Sequence, residues 1–232
     1  MILKKYEDLP QGMKNEEVRK YYDILSKKKW SLCVKRLFDI VFSMVLLIII
    51  LPILIILGIF IKIDSKGPVF YRQERITTNG KTFRIFKFRT MVQNADKIGT
   101  LVTVGNDSRI TRVGKLIRKV RLDELPQLIN ILKGEMTFVG TRPEVKKYVD
   151  KYTDEMKATL LMPAGVTSIA SIKYKDEDEI LEQAVKNGKD TDSAYVEDVL
   201  PEKMKYNLEY ITKFSFWYDL KICIDTVIGV LK

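Results

Sequence analysis

The 232-residue chain contains no histidine. A histidine general base, a Ser-His-Asp or Cys-His nucleophile and every histidine-containing metal site are thereby excluded. Cysteine is scarce: Cys33 and Cys223 stand far apart in the chain. They offer no zinc or iron–sulfur spacing and no disulfide framework, and they fit a reducing compartment. Neither G-x-x-x-x-G-K-[ST] nor G-x-G-x-x-G occurs. Gly114-Lys115 runs on into Leu116, so the P-loop and dinucleotide phosphate cradles are missing. There is no internal repeat. Chemistry here must rest on carboxylates, hydroxyls, lysine, arginine and metal-bound water. With 46% hydrophobic and 30% charged residues, the chain is of a folding type and long enough for one sizeable domain.

The net charge is +10, which implies an anionic partner: nucleic acid, a lipid surface or phosphorylated substrates. The charge is unevenly placed. Residues 1–36 and 62–150 are strongly basic, residues 151–232 are mildly acidic, and Asp39 is the one charge in residues 37–61. Ile40 to Ile61 carry no charge at all. As a helix this stretch would be about 33 Å long, enough to cross a bilayer core. It begins too late in the chain for a cleavable signal peptide. Pro52 sits at its centre, where it removes a backbone hydrogen bond and bends a helix. Both flanks are basic: Lys27, Lys28, Lys29, Lys35 and Arg36 before, Lys62, Lys66, Arg72 and Arg75 after. A spanning helix would leave one cluster on the unfavourable side, whereas a helix that breaks at Pro52 and returns to the same face satisfies both. The residues alone leave spanning and re-entry balanced, because spanning helices tolerate kinks.

Beyond this segment, Val69-Phe70-Tyr71 and Thr82 to Met91 flank Asn79-Gly80, a hairpin signal. Val113, Leu116, Ile117 and Val120 form a helical pattern surrounded by Arg112, Lys115, Arg118 and Lys119. A second helix is expected with Asp123 as N-cap, Pro126 in the first turn, an apolar face of Leu125, Leu128, Ile129 and Leu132, and Gly134 at the C-cap. Phe216, Leu220, Cys223, Val227 and Leu231 line one side of a C-terminal helix that is either interfacial or packed on the core.

Two carboxylate groupings could carry chemistry. Asp176-Glu177-Asp178 has the form of a metal-binding D-x-D, but an acidic run before Ile180-Leu181 is also the ordinary start of an exposed helix. The chain shows no alternating strand–helix series for the nucleotide-binding domain that such a motif needs. Asp123-Glu124 follows a helix rich in Arg112, Lys115, Arg118, Lys119 and Arg121. Cations favour the ionised carboxylate, which can attack phosphorus. Its neighbour can hold Mg²⁺, a cation of oxygen ligands and phosphates, and the basic groups can neutralise a transferred phosphoryl group. The plainer alternative is a capping Asp123 beside a surface Glu124.

A series of motifs bears on this choice. Lys35-Arg36-Leu37-Phe38-Asp39, the Pro52-interrupted apolar segment and Phe86-Lys87-Phe88-Arg89-Thr90-Met91 come first. Gly114-Lys115-Leu116-Ile117-Arg118, Leu122-Asp123-Glu124-Leu125-Pro126-Gln127, Asn130 to Met136 and Phe138-Val139-Gly140-Thr141-Arg142-Pro143 follow in order. From about residue 34 to the end, the chain resembles a bacterial sugar transferase of the monotopic polyprenyl-phosphate phosphoglycosyl transferase family, in its small catalytic-core form. The resemblance implies a mixed α/β, mainly α, monotopic membrane protein with a re-entrant helix-break-helix, a small β-hairpin and amphipathic interfacial helices. It divides the chain into an extension (1–33), a membrane helix (34–62) and a cytoplasmic catalytic region (63–232). It also implies transfer of a sugar-1-phosphate from a UDP-sugar to undecaprenyl phosphate with loss of UMP, on the cytoplasmic face of the bacterial inner membrane. By motif, Asp123 is the nucleophile and Glu124 its metal-binding or acid/base partner. Mg²⁺ is the cofactor, held by Asp123 and Glu124. Arg118, Arg142, Lys87 and Arg89 are phosphate contacts, and Lys35 and Arg36 lie at headgroup level with Pro52 at the turn. A homodimer is compatible with it, and nucleic acid is not a partner. The chain departs from the family in Thr141 before Arg142, where proline is usual. It departs also in Arg75-Ile76-Thr77 for Arg-Pro-Gly and in Ser168 for the second glycine of Pro-Gly-x-Thr-Gly. A non-enzymatic basic module binding anionic lipid or nucleic acid is the alternative; it gives Asp123 no special role.

Overall fold

The computed structural model describes residues 3–95, 107–174 and 177–231. Helix α1 (Glu16–Ser26) is started by the Asn15 side chain, which accepts from the Val18 N–H. Helix α2 (Lys29–Asp64) takes in the whole uncharged segment. Strands β1 (Phe70–Tyr71), β2 (Glu74–Ile76), β3 (Thr82–Arg84) and β4 (Lys87–Phe88) follow. β2 pairs antiparallel with β3, and β1 with β4. This is the expected hairpin, interrupted once. Its turn works because Asn79 and Gly80 take positive φ, 56° and 70°, which asparagine and glycine tolerate best.

Helix α3 (Arg112–Lys119) leads through a 3₁₀ turn (Leu122–Glu124) into α4 (Gln127–Lys133). Strand β5 (Met136–Val139) pairs in parallel with β6 (Ala164–Thr167), with α5 (Lys146–Val149) between them in sequence. The remainder is helical: α6 (Ile169–Lys173), α7 (Glu177–Lys186), α8 (Thr191–Ala194), a π turn (Tyr195–Val199), α9 (Leu200–Lys213) and α10 (Phe216–Leu231). The fold is thus mainly α with small two-stranded sheets.

Helix α2 is long and apolar enough to cross a membrane by length and composition. Its backbone stays helical through Pro52, so the expected break does not interrupt the helix. One side of it packs on the body: Leu46, Leu47 and Ile50 against Phe83, Ile85, Leu128 and Ile131, then Leu54, Leu57 and Ile61 against Phe88 and Ile117. The other side, including Val45, Ile48, Ile49, Ile55, Ile56, Ile59 and Phe60, is exposed.

Both ends of the apolar run are tied to that same body. Before it, Lys35 donates to the Val139 carbonyl and to Asp219. Asp39 accepts from Thr137 Oγ1 at 2.7 Å and from the Phe138 N–H at 3.2 Å. After it, Asp64 accepts from the Val113 N–H at the start of α3. Lys35 and Asp39 are buried, as such charges can be only when paired and hydrogen-bonded. Arg36 donates to the Ile131 and Leu132 carbonyls at the end of α4. The two residues expected to face lipid headgroups therefore have protein partners. The reason is that carbonyl oxygens at the end of α4 and of β5 lie within their reach.

The N-terminal extension packs into the core: Leu9, Met13, Val18 and Leu25 are buried with Ala158, Leu161, Ile211, Phe214 and Ile222. The first half of α10 also packs inward, through Ile222 and Asp219. Its second half presents Ile224, Val227 and Ile228 outward, and Trp217 is exposed near its start.

Candidate active site

The segment carrying Asp123 and Glu124 is shaped by two backbone constraints. Thr111 caps α3 through the Gly114 N–H, and its own N–H donates to the Thr90 carbonyl. α3 thereby lies so close to the chain leaving β4 that a Cβ on Gly114 would sit 2.1 Å from the Thr90 oxygen. Only glycine fits there. At the end of α3, Arg121 adopts a left-handed conformation (φ 58°) and throws the chain into the 3₁₀ turn of Leu122–Glu124. Helix α4 begins later, at Gln127. Asp123 therefore does not serve as the N-cap of α4. The left-handed Arg121 and the Pro126 entry leave its carboxylate half-buried beside the turn. The Gly134 C-cap is as expected, with φ 80°.

Glu124 Oε1 accepts from Lys87 Nζ at 2.9 Å and from Arg142 Nη2 at 2.8 Å. Three separate elements meet in this contact: β4, the 3₁₀ turn and the loop after β5. Burial works against the Glu124 carboxylate, but the Arg142 and Lys87 charges and their hydrogen bonds outweigh it, so its pKa lies well below the usual range. Glu124 in turn holds the Arg142 guanidinium protonated against its burial. Burial weakens the proton affinity of Lys87, opposed by Glu124. Asp123 differs. Burial raises its pKa, and the Glu124 charge adds to the rise; Lys87 and Arg118 act in the other direction. Two adjacent carboxylates are thus pushed apart: one is locked ionised by a cation clamp, while the other is raised by burial and has no ion pair among the described residues. That separation of roles marks functional carboxylate pairs.

A profile of the family described as bacterial sugar transferase matches residues 30–232. The chain belongs to that family. It is 32% identical over 201 residues to the UDP-N-acetylgalactosamine-undecaprenyl-phosphate N-acetylgalactosaminephosphotransferase of Aeromonas hydrophila, covering 85% of this chain and 44% of that protein. It is 37% identical over 199 residues to the UDP-glucose:undecaprenyl-phosphate glucose-1-phosphate transferase of Klebsiella pneumoniae, covering 83% and 39%. The uncharacterized sugar transferase EpsL of Bacillus subtilis matches at 34% over 197 residues, 85% of this chain and 87% of that one. The chain spans about two fifths of the length of the first two of these relatives.

In this member of the family the residues expected at the site divide into two groups. Asp123, Glu124, Lys87 and Arg142 come together, with Arg118 near enough to act on the Asp123 charge. Arg89 does not join them. It is buried at the end of α2, where its Nη2 donates to the Ser65 carbonyl at 2.6 Å and to Ser65 Oγ. Asp176 lies outside the described residues, and among those residues no cluster of three or more metal-ligating side chains occurs. Arg75, Asp39 and Glu144 are not among the residues expected at the site. Arg75 Nη1 donates to the Pro143 carbonyl next to Arg142, and Asp39 pins α2 to β5. The signal for Asp39 was its isolation, as the one charge in a long apolar stretch. Glu144 had a weaker signal, its place two residues after Arg142.

Proposed function

We propose that this chain transfers a sugar-1-phosphate from a UDP-sugar to undecaprenyl phosphate, with Asp123 as nucleophile. What carries the reading is the clamp of Lys87 and Arg142 on Glu124 beside an unclamped Asp123, in a chain of this family. An Asp123 carboxylate oxygen attacks the phosphorus bonded to the sugar. The phosphoanhydride bond breaks, UMP departs with its electron pair, and an aspartyl phosphosugar remains. A phosphate oxygen of undecaprenyl phosphate then attacks that phosphorus, the Asp–phosphorus bond breaks, and the carboxylate returns. Lys87, Arg118 and Arg142, the cations around the Asp123-Glu124 pair, would neutralise the charge that builds on the transferred group.

Mg²⁺ fits the donor set. It commonly takes one or two carboxylates and completes its shell with waters and substrate phosphates. Asp123 and Glu124 would hold it, and bound there it would neutralise phosphate oxygens. With both ends of the apolar run of α2 bonded to one body, we read α2 as a continuous helix bent at Pro52, where one backbone hydrogen bond is missing, so that it enters and leaves the same leaflet. The basic flanks of the run favour the cytoplasmic side, and the reading therefore has Asp123 on the cytoplasmic face of the bacterial inner membrane.

The test is UMP release by purified protein with a panel of UDP-sugars and undecaprenyl phosphate, together with intact-mass analysis after donor alone. Wild type should gain one phosphosugar, and Asp123→Asn should neither gain it nor turn over. An adduct that persists in Asp123→Asn would remove Asp123 as nucleophile.

A further inference from the structure

The loop that delivers Arg142 is gripped from two sides. On one side the hairpin holds its backbone: the Ile76 N–H donates to the Glu144 carbonyl at 2.9 Å, and Arg75 Nη1 to the Pro143 carbonyl at 3.1 Å. On the other side the C-terminal helices hold its one buried carboxylate. Tyr195 donates its hydroxyl proton to Glu144 Oε1 at 2.5 Å. Lys203, on α9, donates to the Tyr195 oxygen at 3.1 Å and lies 3.8 Å from Glu144 Oε1. It also reaches Glu177 Oε1 at 3.2 Å, at the start of α7. Glu144 and Lys203 are each 7% exposed. A buried, hydrogen-bonded charge pair contributes little net stability compared with an apolar packing of the same volume, but it fixes geometry. Tyr195 also packs its ring on Tyr148 at 4.6 Å, so the hydroxyl arrives on a rigid stem. Two residues before Glu144, Arg142 Nη2 meets Glu124 at 2.8 Å. A rigid second support for a functional side chain is what keeps it within the few tenths of an ångström that transition-state contacts require.

We propose that Glu144, Tyr195 and Lys203 form a positioning triad for Arg142, through which the C-terminal helices set the donor-phosphate contact. The proposal rests on the transferase reading. The three act on Arg142 and not on the reacting atoms.

Tyr195→Phe removes only the hydroxyl and leaves the ring packing. Glu144→Gln and Lys203→Met remove the charges, and Lys203→Arg restores one. With UMP release as readout, Tyr195→Phe should raise the donor KM about five- to tenfold, the effect of losing part of one charge-assisted hydrogen bond. The acceptor KM should stay put. Lys203→Met should behave the same way, and Lys203→Arg should recover most of the loss. In an Arg142→Lys background, Tyr195→Phe should add less than twofold, because the guanidinium it places is gone. Folded variants with unchanged donor KM, or effects that multiply in the Arg142→Lys background, overturn the triad while leaving the transferase reading intact. A wild type that releases no UMP from any donor takes down the transferase reading and the triad with it.

Discussion

Replacing Lys87 by methionine isolates one arm of the clamp on Glu124. The stem and much of the volume remain, and the ammonium goes. The lost contact is a 2.9 Å charged hydrogen bond between side chains that are 21% and 13% exposed. Such bonds contribute about 1.5–3 kcal/mol net. Arg142 still holds the same oxygen at 2.8 Å, so the lower part of that range applies, about 1.5–2 kcal/mol. Expressed in the transition state, this is a fall of about 10–30-fold in kcat/KM. A second signature accompanies it. A rate that needs the ionised Asp123 falls as pH drops through its pKa. Burial raises that pKa, and the Lys87 charge is the foremost influence lowering it again. Without Lys87 the pKa rises further, so the acidic limb of the rate profile should move to higher pH. Initial rates of UMP release across the acidic and neutral range measure both quantities. A kcat/KM within threefold of wild type, with an unmoved acidic limb, would refute the clamp as the determinant of the carboxylate pair.

Chelation by EDTA should stop the reaction and added Mg²⁺ should restore it; full turnover in the chelator would exclude a metal held by Asp123 and Glu124. Gly114→Ala should lower stability by about 1–3 kcal/mol, because its Cβ meets a backbone oxygen at 2.1 Å. A thermal midpoint equal to that of wild type would contradict this. A single cysteine near residue 10, in a Cys33→Ser, Cys223→Ser background, should resist impermeant reagent on intact cells and become labelled when Pro52→Leu is added. Labelling without Pro52→Leu would mean that α2 crosses the membrane.

Much of this arrangement was legible in the chain because it depends on local chemistry. Asn79-Gly80 forces a turn whatever surrounds it, and Gly134 stops α4 for the same reason. Asp123-Glu124 stood out because adjacent carboxylates after a run of cations are unusual in any context. What escaped depends on partners distant in sequence. Lys35 and Arg36 look like headgroup ligands until Asp219 and the α4 carbonyls come within reach. Arg89 looks like a phosphate ligand until the end of α2 lies over it. Asp123 looked like a helix cap because aspartate favours that position; a left-handed Arg121, which nothing in the residue type requires, moved the helix start past it. The Glu144–Tyr195–Lys203 contacts join positions separated by as many as 59 residues and have no local signature.

The division of α2 into a packed side and an exposed side governs how a water-soluble catalytic fragment could be obtained. Excising residues 29–64 would take away Leu32, Lys35, Asp39 and Ile61, all buried. It would leave Asp219 with Tyr210 but without Lys35, and Thr137 Oγ1 and the Val113 N–H without their present partners. The remainder would have an opened interior and would aggregate through it. Recolouring is the workable route. Polar replacements at Val45, Ile48, Ile49, Ile55, Ile56, Ile59 and Phe60 alter only the outward side, and the inward stripe stays in place to close the core.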